Sequence, residues 1–126
     1  MEGRFYVCKA CKNIVGLINN GGGELVCCGS PMELLVPGSV EAAVEKHLPE
    51  VKVEEGCVSV QVGSVAHPMQ DEHSIEWIYL QTKSGGQRAA LKPGEQPEAC
   101  FCICDDDSPV AVYAYCNLHG LWKTDI

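Results

Sequence analysis

Basic residues are scarce in this chain of 126 residues: nine Lys and Arg stand against seventeen Asp and Glu, a formal net charge of -8. A surface of that sign lacks the basic footprint that nucleic-acid binding needs, which excludes that class of partner. Long apolar runs are missing as well. No segment approaches the roughly 18 consecutive apolar residues of a membrane span, and Met1-Glu2-Gly3-Arg4-Phe5 has no apolar stretch behind it of the kind a secretory signal carries. Aromatic residues make up only 6%. Few aromatics, with 13 glycines and 7 prolines, suit many short strands better than long helices, so the expected class is mostly β. These absences point to the cytoplasm, where thiols stay reduced. The nine cysteines then read as metal ligands or small buried hydrophobes rather than as a disulfide framework.

Composition shifts near Pro37-Gly38. The first 36 residues carry three basic and three acidic side chains, so the whole negative balance falls on the remainder. That first part has too few apolar side chains to hold itself together, because chains under about 40 residues usually need a metal, disulfides or a partner. It does contain Cys8-Lys9-Ala10-Cys11, a glycine-rich connector at Gly21-Gly22-Gly23, and the adjacent pair Cys27-Cys28. Four thiolates in such a stretch suit a tetrahedral zinc or a single iron. Beyond Pro37, residues 39–46 read as a short helix with Ser39 as its N-cap. Strands are expected at 57–62, 74–81, 99–104 and 110–116, with turns at Gly85-Gly86 and Lys92-Pro93-Gly94, a pattern that suggests a sandwich.

The chain has four histidines: His47 after Glu45 and Lys46, His67 and His73 in Ala66-His67-Pro68-Met69-Gln70-Asp71-Glu72-His73, and His119 three residues after Cys116. Pro68 biases His67 towards an extended backbone and so narrows where its imidazole points. Cys116 closes an expected strand with His119 just beyond, so both reach one point from a turn. Imidazole nitrogen and thiolate sulfur together suit iron, zinc or copper. Cys100, Cys102 and Cys104 alternate along one strand about 7 Å apart per step, too spread to share one metal. With Cys57 they are expected as buried small hydrophobes. Asp105 to Asp107 reads as a solvated turn, and Trp77 and Trp122 as core or site-wall aromatics.

Cys8-x2-Cys11 with Cys27-Cys28, Glu45-Lys46-His47-Leu48-Pro49, His67-Pro68-Met69 with His73, Ile75-Glu76-Trp77-Ile78 and Cys116-Asn117-Leu118-His119-Gly120-Leu121-Trp122-Lys123 occur in that order. In this the sequence resembles desulfoferrodoxin, the two-iron form of superoxide reductase, from about Phe5 to Lys123. The resemblance implies a desulforedoxin-like, rubredoxin-type iron module at residues 1–37 and an immunoglobulin-like β-sandwich at 38–126, paired as a homodimer. It implies two irons per chain. Cys8, Cys11, Cys27 and Cys28 would bind one as a tetrathiolate. His47, His67, His73 and His119 would lie in a plane around the other, with Cys116 as its axial ligand.

The implied activity is one-electron reduction of superoxide to hydrogen peroxide, without release of oxygen. Lys46 would attract the anion, and Glu45 would enter the open position as peroxide leaves. Electrons would come from an outside donor such as rubredoxin or an NAD(P)H-linked reductase. The residues leave a second reading open, in which zinc stabilises a sandwich that serves as a binding module without redox activity.

Overall fold

The first 36 residues leave much of their apolar surface exposed, Val15, Ile18, Val26, Leu34 and Val36 included, and their strands are short. In the computed structural model, which describes residues 4–126, the chain divides into two units between Val36 and Pro37. The first unit holds β1 (Arg4–Val7), β2 (Ile14–Leu17), β3 (Val26–Cys27), β4 (Ser30–Pro31) and β5 (Glu33–Leu34). β1 runs between β2 and β5, antiparallel to both, while β3 and β4 form a separate hairpin. Among its described residues, Phe5, Val7 and Cys8 are the buried hydrophobics. The hairpin turns on Cys28 and Gly29, both with positive φ, at 53° and 76°. Two positive φ values match a type I′ turn, whose twist suits antiparallel strands and which normally selects Asn, Asp or Gly. Cys28 occupies the first of these positions.

The second unit contains α1 (Val44–His47), β6 (Pro49–Glu54), β7 (Cys57–Val62), β8 (Ile75–Thr82), β9 (Gly86–Ala90), β10 (Glu98–Cys102), β11 (Pro109–Cys116) and β12 (Gly120–Asp125). One sheet has the order β10-β7-β6 and the other β12-β11-β8-β9, with every pairing antiparallel. Val58, Val60 and Val62 of β7 and Phe101 of β10 pack against Ile75, Ile78 and Leu80 of β8 and Val112, Ala114 and Cys116 of β11. The sheets therefore meet face to face as a β-sandwich; β7 buries alternate residues, while the central strands β8 and β11 bury consecutive ones.

The expected strand 57–62 is found with those ends, and the other three within two residues of theirs. β6, β9 and β12 were not anticipated, because β6 and β9 expose most of their side chains and lack a clean apolar alternation. Gly86 is not a turn residue but the first of β9. The helix expected over 39–46 is a single turn starting at Val44, and its N-cap is Ala43 with no side-chain cap, not Ser39. Val40 and Val44 both stay exposed, so a longer helix has no apolar stripe to bury.

The expectation of buried sulfurs on β7 and β10 is overturned. Cys100, Cys102 and Cys104 are exposed and Cys57 is half-buried. Phe101 takes the inward position of β10, so the pleat turns its two cysteine neighbours outward. The aspartate turn does more than meet solvent: the Asp107 carboxylate accepts hydrogen bonds from the amides of Ser84 and Ser108.

α1 is held by the loop after β7. The Glu45 carbonyl accepts hydrogen bonds from Val65 N at 2.9 Å and from the Ser64 hydroxyl at 3.3 Å. The approach is close enough to require glycine: a Cβ on Gly63 would lie 2.6 Å from the Glu45 carbonyl oxygen and 2.9 Å from that of Leu48. Gly63→Ala should therefore destabilise the second unit by about 1–3 kcal/mol, as overpacking against backbone does. Urea unfolding followed by tryptophan fluorescence measures this, since Trp77 and Trp122 both lie in that unit; an unchanged midpoint would show that the loop yields freely.

Candidate metal centres

Four thiols converge in the first unit. Cys8 follows β1, and Cys11 lies in a turn closed by hydrogen bonds from Cys8 N to the Asn13 carbonyl and from Lys12 N to the Cys8 carbonyl, at 2.9 and 2.8 Å. Cys27 ends β3 and Cys28 begins the hairpin turn. All four sulfurs lie within 4.8 Å of one another, with Cys11 to Cys27 at 3.6 Å and Cys27 to Cys28 at 4.0 Å. Sulfurs bound tetrahedrally at about 2.3 Å stand about 3.8 Å apart, so the cage has the right size for a metal.

Its acidities show the crowding. The Cys11 amide, aimed at the Cys8 sulfur, lowers that thiol to about 6. Cys28, which shares its proton with Cys11, is pushed up to about 12. Four thiolates this close require a cation among them.

The second unit gathers its imidazoles from three places. His47 comes from α1, His67 and His73 from the loop between β7 and β8, and His119 from the three-residue turn between β11 and β12. Successive ring centroids are 4.6, 4.6, 5.1 and 4.9 Å apart around the circuit His47, His67, His73, His119, each ring standing at 77° to 85° to the next. The diagonal from His47 to His73 is 6.4 Å. These are the edges and diagonal of a near-square.

The His47 Nε2 lies 3.1 Å from both the His67 Nε2 and the His119 Nδ1. A square with edges of that length has its centre about 2.2 Å from each corner, close to the ~2.0–2.1 Å of a metal–imidazole bond. His119 thus presents its Nδ1 where His47 and His67 present Nε2, a distinction the sequence does not reveal.

Hydrogen bonds fix these rings. The His47 Nδ1 lies 2.7 Å from the Ala43 carbonyl and the His67 Nδ1 2.7 Å from the Pro68 carbonyl. With the proton on Nδ1, donated to a carbonyl, each Nε2 is left as a free base facing inward. The His73 Nε2 is buried without a hydrogen-bond partner. An orphaned basic nitrogen in such a place fits a metal ligand.

Cys116 completes the set. Its sulfur is within 4.8 Å of the His47, His67 and His73 nitrogens and 3.9 Å from the His119 Nδ1, so it stands over one face of the square. Burial pushes the Cys116 thiol pKa up, and the amides of His119 and Leu118 directed at the sulfur partly oppose this. A metal would take the place of the thiol proton. Square-plus-one differs from the four-coordinate tetrahedron of structural zinc, so the geometry gives no support to the zinc-only reading.

Sequence reasoning missed a clamp. Asn117 accepts from Ser74 N through its side-chain oxygen at 3.0 Å and donates to the Glu72 carbonyl at 3.0 Å, tying the His73 loop to the turn that carries His119. The only signal was an Asn beside Cys116. Trp122 forms part of the wall, its ring 5.1 Å from that of His47 and its indole N–H donating to the His119 carbonyl. Trp77 stacks on Tyr115 instead. Glu45 and Lys46 are exposed beside buried His47, and the Lys46 charge reaches His73, helping after burial and His119 to lower its basicity.

A tetrathiolate cage and a four-imidazole, one-thiolate site on a β-sandwich define a non-haem metalloprotein of the thiolate-ligated type. The family model described as Desulfoferrodoxin matches residues 39–125, and that of the desulfoferrodoxin N-terminal domain matches residues 1–35. The chain is 48% identical to the desulfoferrodoxins of Syntrophotalea carbinolica and Nitratidesulfovibrio vulgaris, over 95% of its own length and 94% of theirs. The superoxide reductase from Treponema pallidum superposes with a TM-score of 0.84 at 37% identity, covering 99% of this chain and all of that one. The chain belongs to the desulfoferrodoxin family, and its two clusters are the counterparts of that family's two iron sites.

Burial is the leading cause that lowers the basicity of His47, His67 and His73, and His67 falls from 6.5 to about 4. The folded state therefore binds fewer protons than the unfolded one between those values. The stability this gives is complete above pH 6.5, declines as pH falls through the window and levels off below about 4. In metal-free protein the urea midpoint reported by tryptophan fluorescence should drop across that window. His67→Asn should flatten part of the slope, and equal slopes in the two proteins would remove His67 from the account.

Proposed function

We propose that the chain is a superoxide reductase, an iron oxidoreductase that reduces superoxide by one electron to hydrogen peroxide without releasing oxygen. The observation that carries this reading is the square of imidazoles with a buried thiolate over one face. Such a donor set leaves the opposite face for a small ligand. We assign the catalytic centre to residues 38–126, with His47, His67, His73, His119 and Cys116 as the iron ligands. Residues 1–37 then form the rubredoxin-type module, with iron held by Cys8, Cys11, Cys27 and Cys28. Iron held by these five ligands would supply the one-electron chemistry, with its electrons coming from an outside donor.

The protein's own residues set the conditions. Neutral imidazoles and one thiolate leave a divalent ion with net positive charge, which draws an anion despite the acidic surface. The Nδ1–H groups of His47 and His67 keep their rings in the ligating tautomer. Amides on the Cys116 sulfur moderate how strongly it donates. Lys46, exposed beside the site, adds a positive charge where the anion arrives, and Glu45 offers a carboxylate at the same rim.

The donor that fits a thiolate-iron module is rubredoxin or an NAD(P)H-linked reductase, and the working assembly is a homodimer engaged in electron transport and detoxification. No helix among the described residues is long and apolar enough to cross a membrane. Nine free cysteines favour a reducing compartment, which we take to be the cytoplasm.

Two separable centres make a clear prediction. His73→Ala or Cys116→Ala should abolish superoxide reduction yet keep the visible absorption of the tetrathiolate iron, while Cys28→Ser should lose that absorption and keep reduction of superoxide by the ferrous protein in a single turnover. Rapid mixing with superoxide and visible spectra distinguish these, and equal loss in all three would contradict separate roles. Lys46→Ala should slow the encounter by about tenfold and weaken its dependence on ionic strength; a rate and salt slope like those of the parent would deny Lys46 its role.

A further inference from the structure

Outside both metal centres, the outer face of the β10-β7-β6 sheet carries a second concentration of sulfur. Cys57 opens β7 and Cys100 lies on β10, diagonal to it: the register sets Cys102 opposite Cys57 and Ser59 opposite Cys100. The Cys57 and Cys100 sulfurs are nevertheless 2.7 Å apart, inside van der Waals contact for two unbonded sulfurs. Both are free thiols. A disulfide needs about 2.05 Å, so the two sulfurs on these neighbouring strands have to close by less than about 1 Å to bond. Cys102 and Cys104, on the same chain segment, make no such contact among the described residues.

We propose that Cys57 and Cys100 form a dithiol that hydrogen peroxide oxidises to a reversible cross-strand disulfide. The naming of this oxidant rests on the function proposed above, whose product it is; the chemistry of the pair does not. The two thiols have distinct parts. Cys100 is exposed, and its sulfur faces the Cys57 thiol and the Ser59 hydroxyl, the latter donating at 4.0 Å. Its exposure makes Cys100 the sulfur that peroxide reaches, and a thiolate is the form that attacks. Cys57 holds its proton more tightly than an ordinary thiol, through its hydrogen bond to Cys100 first, with burial and the nearby Glu54 carboxylate adding to the effect.

In the first step the Cys100 thiolate attacks one peroxide oxygen. An S–O bond forms, the O–O bond breaks, and the departing hydroxide takes up a proton to leave as water. In the second the Cys57 sulfur attacks that of Cys100, the S–S bond forms, the S–O bond breaks and a second water leaves. Two thiols lose two electrons and two protons, and one peroxide becomes two waters. The five steps from Cys57 to Val62 are about 17 Å of strand, and the histidine loop follows Val62, so the pair sits at the end of β7 away from the metal site.

The test uses reduced holoprotein treated with one equivalent of reagent hydrogen peroxide, followed by alkylation and peptide mapping. The expected result is one peptide pair joined through Cys57 and Cys100, two hydrogens lighter, with two fewer alkylated thiols per chain and full recovery in dithiothreitol. Cys57→Ser should stop at a sulfenic acid on Cys100 that dimedone traps, and Cys100→Ser should lose the peroxide reaction while reducing superoxide at the parent rate. Circular dichroism of both variants confirms the fold. Full alkylation of Cys57 and Cys100 after peroxide, or a bond to Cys102 or Cys104 instead, overturns the proposal. A disulfide that forms in protein unable to reduce superoxide upholds the pair and overturns the functional reading alone.

Discussion

The apolar seam between β7 and the β8–β11 pair is what the second unit depends on, and it ends in a metal ligand. Val58, Val60 and Val62 face Ile75, Ile78, Leu80, Val112 and Ala114, and the same buried cluster includes Cys116. Core and site therefore share a residue. The packing that stabilises the sandwich also sets where the sulfur stands, and the turn from Cys116 to Gly120 then has only three residues in which to return His119 to the same point. The opposite wall is placed by backbone contact, since the loop after β7 grips the Glu45 carbonyl and so positions α1 with His47.

The first unit works the other way. With Phe5, Val7 and Cys8 as its buried hydrophobics, it has no seam of comparable size. Its organising contact is among sulfurs, and without a cation these repel or share protons. A hairpin turn that places a cysteine at positive φ makes sense only if ligation offsets its conformational cost. Metal binding and folding are one process in this unit, as in other small metal-stapled domains.

Much of this was legible beforehand. The spacing of Cys8, Cys11, Cys27 and Cys28 declared a metal cage, because chemistry and the need for a staple agreed. The valine alternation of β7 gave a strand with its correct ends. The histidines were different: no local spacing connects His47 with His119, and only the resemblance to desulfoferrodoxin assembled them. The role of Gly63 was invisible, since it depends on a carbonyl that is close in space but eighteen residues earlier in the chain. For the cysteines of β10 the period was read correctly and the face wrongly. A run of alternating apolar residues says which side chains share a side, not which side is inward, and Phe101 with its larger apolar area decided that.

The two hydrogen bonds from His47 and His67 to backbone carbonyls have a further consequence, which concerns time rather than geometry. They fix those rings whether or not an ion is present, so this part of the catalytic pocket is set by the fold itself and not by the guest. An ion can then enter or leave the sandwich as an exchange event, while in the sulfur cage it arrives and departs with the fold.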